Sequence, residues 1–373
     1  MQWNDGYKAI YYAMAVNPKT WADTNERIEL KDGSVDREDT GLRGSAEITS
    51  DAEGYNERLI RIYVDAVQEN DISHDPIFTG YAVSPTLDVE GKLTTQKYTC
   101  YSVLKPADDI LLERGWYAPL GANSGTLIRD LLSVTKAPFT IEGEPGALEN
   151  YIVAEDNETR LTMTDKILKI MGLDLIITGA GEIILRPKKT NADVVFDPAS
   201  NDIVEPTFSI TQDWYEVPNV LRVVMEDVSA IARDDSETSI YSTVNRGREI
   251  WNQESSPDLA AGDTLADYAE RRLKELQTVG TQANYTRRFL PDINVCDVVR
   301  IRYDLLNGLY RITEQKISLS HNITTSETVE RIDTDIVAET VNRIRQIVVL
   351  PDDVIFTMPE VITFPKARSI ANE

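Results

Sequence analysis

The chain has 373 residues and is short of the groups that most enzymes and metal sites draw on. It contains two cysteines, two histidines, and 38 Lys and Arg against 62 Asp and Glu. Cys100 and Cys296 are too few and too far apart for a disulfide framework or a cysteine zinc site, and the default for each is a small buried hydrophobe. His74 lies in the polar stretch DISHDP and His321 follows a strand-like run. Neither has a second ligand at metal spacing, so both read as exposed loop histidines. The deficit of bases leaves a net charge of -24, spread along the chain without an acidic tail or a basic arm. Such a surface repels phosphate, which argues against specific nucleic-acid binding and against adhesion to anionic membranes. No stretch approaches the ~20 apolar residues of a membrane span, so no membrane insertion is expected. The opening MQWNDGYKAIYYAMAVNPKTW lacks a basic segment followed by an apolar run and does not read as a signal peptide.

The known catalytic signatures are missing too. There is no G-x-S-x-G elbow. Gly41–Gly44, Gly121–Gly125 and Gly179–Gly181 match neither phosphate-cradling pattern and read as turns. Asp108-Asp109, Asp234-Asp235 and Asp352-Asp353 are adjacent carboxylates, but in a chain this acidic such pairs are ordinarily solvated surface. A glycosidase needs two carboxyls at a defined separation in a cleft, which spacing alone does not supply. Calcium loops are absent, and the N-x-T triplets at Asn157, Asn284 and Asn322 matter only in a glycosylating pathway. The aromatics Trp3, Tyr7, Tyr11, Tyr12, Trp21, Trp116, Tyr117, Trp214 and Tyr215 could bind sugar or protein, but packing accounts for them more simply. The expectation is therefore no catalytic, cofactor-binding or metal residues, no cofactor, and no enzyme.

What remains is a globular composition, 42% hydrophobic and 8% aromatic. The length suggests two or three domains. The first hundred residues read as strands: Glu26–Leu30 before a Lys31-Asp32-Gly33 turn, Gly44–Thr49, Arg58–Val67, Ile77–Val83 with a bend at Gly80, and a hairpin of Leu87–Val89 and Leu93–Tyr101 around Glu90-Gly91. In Arg58–Val67 strict alternation puts Ile60, Ile62, Val64 and Ala66 on one face. Next come two helices. One spans Thr126–Val134 with Ser124 as N-cap; the other spans Thr164–Met171, capped by Thr164 and closed by Gly172. A hairpin of Leu173–Thr178 and Glu182–Arg186 turns at Gly179-Ala180-Gly181. Strands resume with Asn219–Met225, a polar loop Arg233–Tyr241 and a strand-like Gly247–Trp251. The clearest helix is Thr264–Gln277, apolar at Leu265, Ala269, Leu273 and Leu276 and capped by Thr264. Ala283–Phe289, Asp297–Tyr303, Gly308–Thr313 and Gln315–Ser320 then read as strands. A helix Asp335–Arg343 and an arm broken by Pro351, Pro359 and Pro365 end the chain. The fold class is α+β, mainly β: two small β-barrel-like domains, 1–101 and 194–322, bracket an α+β insertion, 102–193, and are followed by a helix and extended arm, 323–373.

Three stretches in order resemble the baseplate hub proteins of tailed bacteriophages, also called tail-associated or late-control proteins and related in fold to type VI secretion spike proteins. They are Pro218-Asn219-Val220-Leu221-Arg222-Val223; the helix bearing Ala269, Arg272, Leu273 and Leu276, similar to the family's A-x-x-R-L-x-x-L; and Pro291 through Val299 with Gly308-Leu309-Tyr310-Arg311-Ile312, similar to its P-x-I-x-x-G-D-x-V…G-x-Y-x-I. Phe78, Gly80 and Val83 resemble its F-x-G-x-V strand. Cys296 stands where the family usually has Gly, a departure that puts the turn there in doubt. The resemblance covers about residues 1–325. It implies a homotrimer in which two barrels per chain make a pseudo-sixfold ring. That ring would join the tail tube or a distal tail protein to the spike or tail-tip protein, contact the tape measure protein, and let DNA pass. It also implies a place in the virion tail, with assembly in the host bacterial cytoplasm. Two rivals stand beside this reading: a receptor- or glycan-binding module of the tail tip, and a carboxylate-dependent cell-wall hydrolase.

Overall fold

The computed structural model describes residues 7–332, except 52–54, 56, 69–70, 91–92, 197–202, 204–208, 212–214, 226–227, 256–263, 278–281, 304–305 and 321–322. The chain divides into two compact units, Met1–Ile332 and Asp333–Glu373. The second unit lies outside the described residues, and with it the helix expected at Asp335–Arg343, Asp352-Asp353 and the three prolines of the arm. Trp3, Trp214, His321, Asn322 and the turn residue Gly91 also lie outside them.

The alternating sequences of the first hundred residues form six strands: β1 (Lys8–Val16), β2 (Asp23–Glu38), β3 (Ser45–Ser50), β4 (Arg58–Gln68), β5 (Asp71–Glu90) and β6 (Leu93–Ser102). They pair in the order β1-β4-β5-β6-β3-β2, and β2 pairs back onto β1, so the six strands close into an antiparallel barrel. Ile60, Ile62, Val64 and Ala66 are fully buried inside it, as the alternation requires. The other face of β4 is covered as well. Leu59 packs into the core of the insertion, and Arg61 pairs with Asp23 at 2.6 Å while donating to the Ala180 carbonyl at 3.0 Å. The expected turn at Lys31-Asp32-Gly33 does not form. β2 runs on through it, and a shift of register between Leu30 and Asp32 absorbs the irregularity.

The insertion comprises α1 (Lys105–Asp108), β7 (Tyr117–Ala118), α2 (Ser124–Leu132), β8 (Phe139–Ile141), β9 (Ile152–Val153), α3 (Arg160–Met171), β10 (Leu173–Ile177) and β11 (Ile183–Pro187). Both helices begin earlier than the sequence suggests. Asn123 caps α2 by accepting from the Thr126 amide, so Ser124 is already helical. Thr159 caps α3 in a reciprocal box with Thr162, and Thr164 instead donates to the Arg160 carbonyl within the helix. Gly172 ends α3 in the left-handed conformation, as expected. The β10–β11 hairpin also forms as expected, with its tip pressed against the first barrel: a side chain on Gly179 would lie 1.8 Å from the Pro76 carbonyl oxygen.

The second block begins with β12 (Val194–Phe196) and β13 (Ser209–Thr211). A small subdomain follows: β14 (Val220–Met225), β15 (Val228–Arg233), α4 (Thr243–Arg246), β16 (Trp251–Ser255) and α5 (Leu265–Leu276). The short helix α4 follows the expected loop, and Gly247 is its left-handed C-cap, so the strand starts only at Trp251. α5 keeps its predicted Thr264 cap and seats Ala269 and Leu273 on Leu221 and Val223. The block ends with β17 (Gln282–Arg288), β18 (Val298–Ile301), β19 (Gly308–Leu319) and β20 (Thr324–Arg331). β19 is one strand where two were expected, because a bulge between Ile312 and Glu314 shifts register without breaking pairing. The second sheet runs β12-β18-β19-β20-β17-β13. Among the described residues its two end strands do not pair with each other, so no closed barrel forms there.

Candidate assembly surface

The two blocks are joined by one ladder. Gly33–Glu38 of β2 pairs antiparallel with Glu314–Leu319 of β19, making a single twelve-stranded sheet. Around this ladder four strands, β2, β19, β20 and β17, stand side by side, and alternation sorts their residues onto two faces.

One face is exposed and polar. Glu38, Glu314, Thr328 and Asn284 lie opposite one another in a row across the four strands; Asp36, Lys316, Ser326 and Thr286 make the next row. The Thr286 and Ser326 hydroxyls are 3.0 Å apart, Thr328 donates to Glu314 at 3.1 Å, and Lys316 lies 3.5 Å from Asp36. The rows line a shallow cavity of about 580 Å³. Partial burial, then the charge of Glu314, holds the Glu38 carboxyl above its ordinary value. This face therefore carries carboxylates and short hydroxyl side chains with one compensating lysine.

The other face is buried, and it is polar as well. Arg37, Gln315, Glu327 and Tyr285 form a row directly beneath the exposed ones. Arg37 donates to Asn294 Oδ1 at 2.9 Å and to the Ile77 carbonyl, tying the first barrel to the loop before β18. Glu327 accepts from Tyr285 at 2.6 Å, Arg287 at 2.7 Å and Gln315 at 2.7 Å. Arg287 and Glu327 are almost wholly enclosed. Burial and the neighbouring Arg287 charge bring the Arg37 pKa down to about 10, against the pull of Asp297 and Glu327. Two more buried pairs fasten the insertion to the second block: Arg311 grips Asp174 through both nitrogens at 2.6 and 2.9 Å, and Arg186 meets Asp297 at 2.8 Å. Side chains held this firmly have one geometry available, so the network fixes the angle between the blocks.

The residues singled out in the sequence are scattered. His74 is half exposed on β5, stacked on Tyr63 with ring centres 4.4 Å apart and 2.6 Å from Asp65. Asp108 and Asp109 both pair with Lys105. Asp235 pairs with Arg233, while Asp234 accepts from Gln277. Cys100 and Cys296 are buried free thiols, pushed up to about 12 by that burial. Cys296 has a φ of 70°, so it occupies the left-handed turn where the resembled family places Gly, and the turn survives the departure. Among the described residues no group of three or more His, Cys, Asp or Glu is placed to hold a metal ion, and no helix is long and apolar enough to cross a membrane. The buried row escaped sequence reasoning, although it had a signal. Arg287 and Glu327 stand at the apolar parity of their strands, with Ala283 and Tyr285 and with Val329.

No family model and no curated protein matches the chain. Solved structures do. The tail protein from Neisseria meningitidis MC58 superposes with a TM-score of 0.64 at 11% identity, covering 87% of this chain and 97% of that one. The 43 kDa tail protein of prophage MuSo2 from Shewanella oneidensis gives 0.62 at 12% identity over 87% and 98%. A chain of the Francisella PdpA–VgrG complex gives 0.53 at 8% identity, over 88% of this chain and 58% of that one. The closed barrel, the insertion and the ladder-joined second sheet are thus the fold of prophage tail proteins.

Proposed function

We propose that this protein is a structural hub of a phage tail or tail-like particle, a non-enzymatic component of the virion baseplate or tip. Three copies form a ring. The modules 1–101 and 194–332 alternate around it as six near-equivalent positions and the 102–193 insertions project from it; the arm expected at 323–373 is cut back to 333–373, because β20 pairs with β19 and β17 inside the second sheet. Six similar positions suit a hexameric tail tube or distal tail protein, whereas three unique ones suit a threefold spike or tip. The tape measure protein and passing DNA share the central channel.

The observation that carries this reading is the β2–β19 ladder. Two flexibly linked barrels would make a poor ring segment, but a continuous sheet pinned by the Arg37–Glu327 network is a rigid one. We assign the exposed rows on that sheet to the channel wall. Carboxylates and hydroxyls prevail there, and the one lysine, Lys316, lies beside Asp36, so DNA gains little affinity that would retain it. Oligomeric mass tests the proposal. The full chain is expected at three times its 41.9 kDa mass, with rings in negative-stain images. A monomer that persists at assembly concentrations, with no annulus, overturns it. Glycan binding or cell-wall lysis by that monomer would favour the rival readings.

A further inference from the structure

Residues 110–123 and 147–160 of the insertion run antiparallel as an irregular ribbon. The Leu112 amide donates to the Glu158 carbonyl at 2.8 Å, Ala154 to Trp116 at 3.0 Å and Gly121 to Leu148 at 2.9 Å. Tyr117 lies directly opposite Val153. One face of the ribbon sends Ala118, Leu148 and Ile152 into the insertion core. The opposite parity carries Tyr117, Tyr151 and Val153, with Leu111 and Leu120 beside them, each between 50% and 67% exposed. Single exposed apolar residues are ordinary on a protein surface, but five along one ribbon are not. Two of them are tyrosines, which dominate the energetic centres of interfaces. The margin is mainly acidic: Glu113, Glu149 and Asp156 are exposed, Asp109 and Glu155 are exposed but pair with Lys105 and Lys166, and Arg114 is the one exposed base in these segments.

We infer that this ribbon docks a different protein, one that presents an apolar patch ringed by Lys and Arg. Charge complementarity selects that occupant. A twofold contact with a second copy of this chain would oppose the same acidic margin to itself. An apolar centre with an acidic rim therefore rejects its own kind and accepts a basic partner.

The test rests on the tail reading and uses whole tail particles containing the full chain, with p-benzoyl-phenylalanine in place of Tyr117. Illumination is expected to join this chain to a different tail polypeptide through a Lys/Arg-rich surface of that polypeptide. The double substitution Tyr117→Ser with Tyr151→Ser, monitored by a probe at Val153, is expected to cut the adduct about tenfold with no change in melting temperature. Glu149→Lys with Asp156→Lys is expected to cut it severalfold at 0.15 M salt, and by less at 0.5 M. An adduct between two copies of this chain overturns the inference, as does no adduct in particles that contain the chain. Absence of the chain from purified tails overturns the tail reading and this inference together.

Discussion

The two β blocks solve the same problem differently. The first six strands close on themselves, and their interior is filled by Ala13, Ile28, Ile60, Ile62, Val64 and Phe78, with no ion pair inside among the described residues. Among the described residues the second six do not pair their end strands with each other, and they enclose Arg287, Glu327, Gln315 and a guanidinium, Arg37, lent by the first block. A closed barrel satisfies its backbone through its own hairpins and needs only apolar filling. An open sheet that must be held at one angle to a neighbour gains from directional bonds, since apolar contact alone tolerates sliding. The difference teaches that the buried Arg37–Glu327 row lies at the joint between the two blocks.

The contrast breaks most directly at Glu327. Its replacement by Ala leaves Arg287 buried without its carboxylate and removes one of the two negative charges that act on Arg37, at an expected cost of about 3–5 kcal/mol in urea unfolding. Ile62→Val inside the first barrel should cost about 0.5–1.5 kcal/mol. Equal costs would remove the distinction between a pinned block and a filled one.

A second measurement sharpens the first barrel's side. Gly80 sits where β5 meets β6, and a Cβ there would lie 2.2 Å from the Tyr101 carbonyl oxygen and against the Phe78 ring. Gly80→Ala should therefore cost about 1–3 kcal/mol by overpacking. A neutral result would show that the barrel wall is looser than its closure implies.

In the second block Cys296 offers a smaller effect of opposite sign. Cys296→Gly relieves a left-handed non-glycine backbone, whereas Cys296→Ala keeps it and loses the buried sulfur. The Gly variant should be the more stable of the two by about 1 kcal/mol in thermal unfolding. The reverse order would mean that burial of the Cβ methyl outweighs relief of the turn.

The smallest effect concerns the exposed face that spans both blocks. A carboxyl whose folded pKa is raised adds stability below its unfolded value, 4.5 for Glu38, and that contribution is lost as pH rises through the folded value. Glu38→Gln should thus raise the urea midpoint slightly at pH 7, with the gain fading at pH 4 and below. A gain that grows on acidification would contradict the crowding of Glu38 by burial and Glu314.

Much of the fold was legible in the sequence because its signals are local. Alternation in Arg58–Val67 located β4, the Thr264 cap and amphipathic face located α5, and Gly179–Gly181 located the β10–β11 turn. Local signals also misled. The Lys31-Asp32-Gly33 triplet has turn composition, yet β2 passes through it because pairing with β3 and β19 holds that stretch extended. Thr164 can cap a helix, but Thr159, five residues earlier, has a partner in Thr162 and takes the role.

The sequence by itself determined that the protein is mainly β, that an α+β segment interrupts two strand-rich blocks, and that its surface is strongly acidic. These follow from periodicity and composition, which neighbouring residues carry. Only the tertiary structure decided that β2 and β19 zip together, that one block closes while the other does not, and that Arg37 reaches across to Gln315. Those partners are 278 residues apart in the chain. Which of many extended edges will meet is settled by the register and twist of the assembled sheet, and no residue's own neighbourhood records it.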